Sequence, residues 1–384
     1  MQDPREKQLA ELLTRHSMRV RPGDRVLIEA SSTPESMVVA LIEAVTAAGG
    51  LAAVDLKEAP VMRALMSCGT AEQVEARMRL LGQIELERME KMEAYVALRG
   101  SLNVSELADV PPDKMRLYEQ HWLKPVHLER RVRHTRWVVL RWPTPSMAQM
   151  AGMSTQAFED FYFKVCLADY EAMEQAVKPL QELMSRTDRV RITGPGTDLR
   201  FSIKGVGVVS CYGRRNIPDG ECFTAPVKDS VEGHIQFNAP TIYRGVPFDD
   251  VRLVFRQGRV VEARANNTAA LEAILDVDEG ARYVGEFAIA FNPYIDRPMR
   301  DILFDEKIRG SLHLALGQCY EETENTNRSA IHWDLVLLQE QGGELWFDDV
   351  LIRRDGRFVV PELAGLNPEN LGGRRPALTG TASP

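Results

Sequence analysis

The sequence predicts an α/β plus α+β protein: a Rossmann-like α/β domain over residues 1–188, followed by a mixed-sheet, metal-binding domain over 189–384. Three observations predict it. Up to about Arg186, apolar strand-like runs alternate with helical patterns, a βαβ rhythm that implies a mostly parallel sheet with helices on its faces. From Arg189 short strands alternate with glycine turns, the texture of an antiparallel or mixed sheet. The length of 384 residues exceeds what one core usually serves, and 44% apolar with 27% charged residues is a globular composition.

The elements follow in order. Arg25–Ala30 reads as a strand after the turn Arg21-Pro-Gly-Asp24. Thr33-Pro34-Glu35 supplies an N-cap and a first-turn proline for a helix to Ala48, which Gly49-Gly50 ends. Leu51–Leu56, Ala94–Leu98 and Arg136–Leu140 are further strands, and Ala71–Met92 is a long charged helix. Ser154–Arg186 is helical in pattern and bridges to the second half. There Arg189–Thr193, Leu199–Ile203, Gly205–Val209, Gly233–Phe237, Val251–Arg256 and Arg259–Ala265 read as short strands. Asn267–Asp276 is a helix, Gly343–Phe347 and Val350–Arg353 are late strands, and Pro361–Pro384 is a Gly/Pro/Ser/Thr-rich tail expected to be mobile at its end. No G-x-G-x-x-G follows the first strand, so the first domain lacks a nucleotide fingerprint.

Composition excludes several function classes. A net charge of −8 offers no basic excess to meet phosphates, so no nucleic-acid partner is expected. The cluster Arg130, Arg131, Arg133 reads as a solvated helix end. No stretch reaches the length of a signal-peptide core or a membrane span, so no membrane partner is expected. The five cysteines are scattered without a CxxC pair, which fits a reduced, cytoplasmic home; Cys222 and Cys319 read as small buried fillers.

Chemistry concentrates between Asp301 and Val336, which holds two of the seven histidines. Ser329–Val336 reads as a strand, so His332 and Asp334 point to one face and Ile331, Trp333 and Leu335 to the other. His313 is a lone polar group in Leu312-His-Leu-Ala-Leu316, where unpaired burial is costly. Glu286 sits in Val284-Gly-Glu-Phe-Ala-Ile289, too apolar for a free carboxylate, and a metal would neutralise it. Glu221 opens Gly220-Glu-Cys-Phe-Thr-Ala-Pro226. Imidazoles and carboxylates are the ligands of divalent metals such as zinc, cobalt and manganese.

The blocks GECFTAP, GEFA, LFDEK, HLALG-x-x-Y and SAIHWDL, with Arg141-Trp-Pro-Thr-Pro-Ser146 in the first half, resemble the signature blocks of the aminopeptidase T/aminopeptidase S family of dimetal metallo-aminopeptidases. The likeness runs from about residue 20 to 360. It implies that Glu221, Glu286, His313, His332 and Asp334, with Glu306 as a further ligand, hold two divalent cations (Zn, Co, Mn or Mg). It also implies that Tyr320 is the active-site tyrosine, that the substrate is a peptide or amide, and that the chain forms a homodimer. Glu286 is the acid that manages the proton. The loop from Tyr320 to His332 is shorter than in many relatives, which is expected to open the site or to change what it admits.

A rival reading takes only His313, His332 and Asp334, the two-histidine, one-carboxylate set of mononuclear iron(II) oxygenases. The same fold hosts ring-cleaving dioxygenases of dihydroxypyridines. The three additional glutamates favour the hydrolase.

Overall fold

The computed structural model describes residues 3–372. They form two compact units, one comprising the described residues to Leu167 with Gly213–Ile217, the other Ala168–Tyr212 with Pro218 onward. The division falls nearer the N-terminus than residue 188 because the bridging helix is broken. Thr155–Cys166 and Tyr170–Arg186 are separate helices, and the Asp169 side chain accepts from Ala172 N to start the second afresh.

In the first unit five strands lie in the order Leu51–Lys57, Arg25–Ser31, Ala94–Arg99, Arg136–Arg141, Asn216–Ile217, all parallel. The central strands are buried on both faces, as a helix-covered parallel sheet requires, with Glu29 as the charged exception. The predicted strands are present here. The expected solvated helix end Arg130, Arg131, Arg133 is corrected at its middle arginine: Arg133 is exposed, but Arg131 is 1% exposed. Its guanidinium pairs with Glu29 at 3.0 Å and Glu85 at 2.5 Å and lies 4.2 Å over the Tyr95 ring. Polar partners on three other elements draw it inward, which a charge count along one helix does not register.

The second unit contains two large antiparallel sheets and a two-stranded hairpin, Thr241–Tyr243 with Val246–Phe248. The larger runs Arg259–Arg264, Arg252–Arg256, Glu232–Gln236, Thr197–Ser202, Arg189–Gly194, Glu344–Phe347, Val350–Arg354, Arg357–Phe358. The smaller runs His332–Leu338, Ser311–Gly317, Val284–Ala290, Glu221–Thr224, Val209–Cys211. Gly205–Val209 is a correction: the strand begins only at Val209, because Lys204-Gly205 forms a turn with Gly205 at φ +76°. Phe201 of the larger sheet meets Phe287 of the smaller edge-on at 5.0 Å. Buried Arg353 ties them further, donating to Ala290 O and Ser311 O. The start of the expected mobile tail is ordered, with Leu363, Leu366 and Leu371 buried; its remainder lies outside the described residues. Among the described residues no helix is long and apolar enough to cross a membrane.

Candidate metal centre

The smaller sheet builds the site by alternation. Both central strands, Val284–Ala290 and Ser311–Gly317, are buried along their whole length. One face carries Phe287, Ile289, Leu312, Leu314, Leu335 and Leu337 into the core. The opposite face carries Glu221, Glu286, His313, His332 and Asp334. Cross-strand register sets small residues beside them: Ala315 lies between Glu286 and Asp334, Ala288 opposite His313, Ala290 opposite Glu221, Gly317 opposite His332. Long ligand side chains therefore converge over alanine and glycine. Glu306 joins from the short helix Ile302–Asp305, of which it is the C-cap.

All six expected ligands come together. His313 Nε2 lies 3.3 Å from Glu286 Oε1 and 3.8 Å from both Glu221 Oε2 and Asp334 Oδ1. His332 Nε2 lies 3.3 Å from Glu286 Oε2 and 3.4 Å from Asp334 Oδ1. Glu286 thus offers one oxygen to each histidine. Donor atoms cluster in three overlapping groups: Glu221–Glu286–His313, Glu286–His332–Asp334 and Glu306–His313–Asp334. His332 Nδ1–H donates to Gln318 O at 2.8 Å, which turns Nε2 toward the carboxylates. The Tyr320 hydroxyl is 3.4 Å from that nitrogen, and its ring tilts against His332 and Phe223.

The donor set fits a divalent cation. Glu221 Oε2 and Asp334 Oδ1 are buried carboxylate oxygens without a hydrogen-bond donor, an arrangement that a cation relieves. Electrostatics agree. Burial works against charge on His313, yet the hydrogen bond it donates to Glu286 and the charge of Glu221 hold it up at about 9. Burial likewise opposes ionisation of Glu286, but both histidines outweigh it and keep the carboxyl below its ordinary range. Burial pushes Glu306 up, with Glu221 and Asp334 adding to the effect against Lys307. The cluster draws positive charge to itself.

Lys307 and its partner Asp219 escaped the sequence reading. Lys307 is fully buried, 2.6 Å from both Glu221 Oε1 and Glu306 Oε1 and 3.9 Å from Asp219 Oδ1. The signal was a lysine directly after the two acids of LFDEK and a second acid in Asp219-Gly-Glu221. Cys222 lies on the apolar face, where burial pushes its thiol up, and all five cysteines are free, consistent with buried filler at Cys222 and Cys319.

Comparison with known proteins bears on this centre. Over 226 residues the chain is 30% identical to aminopeptidase T of Thermus thermophilus, a match covering 50% of the chain and 55% of that relative. The chain thus spans about half the length of the curated relatives it matches. The solved structure of wild-type AmpT from Thermus thermophilus superposes with a TM-score of 0.80 at 24% identity, covering 93% of this chain and 99% of that one, which shows a shared fold. 2,5-Dihydroxypyridine dioxygenase from Pseudomonas putida KT2440 shares it more distantly, with a TM-score of 0.60 at 16% identity, over 94% of this chain and 98% of the other. The family described as thermophilic metalloproteases (M29) matches residues 2–358, and the chain belongs to that family.

Proposed function

We propose that the protein is a metal-dependent aminopeptidase that hydrolyses N-terminal residues from peptides or related amides. The observation that carries this is the convergence of four carboxylates and two imidazoles on one sheet face, with two buried carboxylate oxygens lacking donors. Glu221, Glu286, Glu306, His313, His332 and Asp334 would hold two divalent cations, Zn, Co, Mn or Mg. Glu286 offers one oxygen toward each histidine. The cations supply Lewis acidity, activating water and polarising the scissile carbonyl.

The chain's own groups do the rest. Glu286 takes the proton of the attacking water and passes it to the leaving amine. The Tyr320 hydroxyl, 3.4 Å from His332 Nε2, is placed to donate to the oxyanion that forms at the carbonyl. A carboxylate of the cluster receives the substrate's α-amino group, which restricts cleavage to the chain end. The N-terminal parallel-sheet unit is Rossmann-like in organisation, the active form is a homodimer, and free cysteines throughout suit the reducing cytoplasm.

The test is metal content of protein purified without added metal, measured beside cleavage of amino-acid arylamides. Two non-iron cations per chain with arylamide cleavage are expected. One iron per chain, with oxygen uptake on a dihydroxypyridine and no cleavage, would replace this reading by the dioxygenase.

A further inference from the structure

We propose that Lys307 is a built-in counter-ion that makes the two cation positions unequal, leaving one tightly held cation and one exchangeable one. This rests on the metal-centre reading above. The ammonium sits at one end of the cluster, between Glu221 and Glu306, and takes one oxygen from each at 2.6 Å. Those two carboxylates fall in different donor groups, and no group unites them. What joins them is the lysine. Lys307 makes no ion pair with Glu286, His332 or Asp334, which form the group at the other end.

The lysine cannot readily withdraw. Lys307 N donates to Phe304 O at 3.0 Å, and its carbonyl accepts from Asn292 N at 3.2 Å, so its backbone is held on both sides. Asp219 closes the third side of the ammonium at 3.9 Å.

The consequence is electrostatic. A divalent cation bound through Glu221 or Glu306 meets carboxylates already half-neutralised and a positive charge beside them, in an interior where charges are poorly screened. A cation on Glu286, His332 and Asp334 meets carboxylates that no ammonium touches. The Glu286–His332–Asp334 position therefore fills first, and the position on the lysine side fills and empties with ambient cation.

The test is binding. The full chain, stripped by chelator, is titrated with Mn²⁺ by calorimetry and equilibrium dialysis. Wild type should take up two cations with dissociation constants at least about tenfold apart. Lys307→Gln, which keeps a hydrogen-bond donor and removes the charge, should tighten the weaker cation about tenfold or more and leave the stronger unchanged. His332→Ala should remove the tight cation and spare the weak one. Equal constants in wild type, or loss of the weaker cation in Lys307→Gln, overturns the proposal. If Lys307→Gln does not fold, the wild-type gap and the His332→Ala result decide alone. Absence of any Mn²⁺ binding in wild type would instead remove the metal-centre reading on which the proposal rests.

Discussion

At the scale of single residues, Glu286 and Tyr320 separate holding a cation from handling the reaction. Glu286 is 3% exposed and touches both histidines. Glu286→Gln keeps the volume and removes the charge. It should abolish arylamide cleavage and release at least one cation, read by metal analysis of the purified variant. Retention of both cations together with cleavage would contradict the role assigned to Glu286. Tyr320 approaches His332 from the rim of the site, its side chain 45% exposed. Tyr320→Phe should keep full metal and lower kcat by roughly 10²–10³, the cost of one oxyanion donor. Metal loss in this variant would make the phenol a ligand, and an unchanged rate would make it a packing residue.

At the scale of elements, the site depends on how closely two strands approach. Gly317 faces His332 across the pair, at φ +102°. A Cβ there would lie 2.2 Å from Ile331 O, a backbone atom that can yield only by moving the strand. Gly317→Ala should therefore shift the start of the His332 strand and cost on the order of 1–3 kcal/mol in backbone strain. The expected readout is weaker cation binding with the far-UV circular dichroism unchanged; wild-type affinity would show that the register tolerates the push. The alternation that places His332 and Asp334 together was legible in Ser329–Val336, because a two-residue period is local. The glutamate in GEFA was legible as misplaced in an apolar run. Lys307 was not, since a lysine beside two acids reads as a surface charge pattern until the distant Asp219 and Glu221 close around it.

At the scale of the whole molecule, each unit carries its own buried charge network. In the first, Glu29 accepts from Tyr95 and pairs with Lys57 at 2.6 Å and Arg131 at 3.0 Å. Burial raises its pKa, but Arg131 and Lys57 outweigh that and bring it down to about 2. A carboxyl lowered on folding contributes stability that is present above its unfolded pKa of about 4.3 and is lost as pH falls toward 2. Glu29→Gln should lower stability by about 3 kcal/mol at pH 7, with a difference from wild type that shrinks by more than half at pH 3. Urea denaturation followed by tryptophan fluorescence at the two pH values measures it, and a difference independent of pH would rule this linkage out. The proposed homodimer has its own measure: light scattering should report twice the 43.2 kDa chain mass.

What the sequence determined by itself was set by local periodicity and composition. The βαβ rhythm, the glycine-punctuated second half and the same-face His332 and Asp334 need only neighbours along the chain. The tertiary structure decided what depends on distant segments. It broke the helix between Cys166 and Tyr170, buried Arg131 among three elements, and brought Lys307 to Glu221 across 86 residues of chain. A buried charge is stable only where its partners are, and those partners are assembled by strand register and packing rather than by adjacency in sequence.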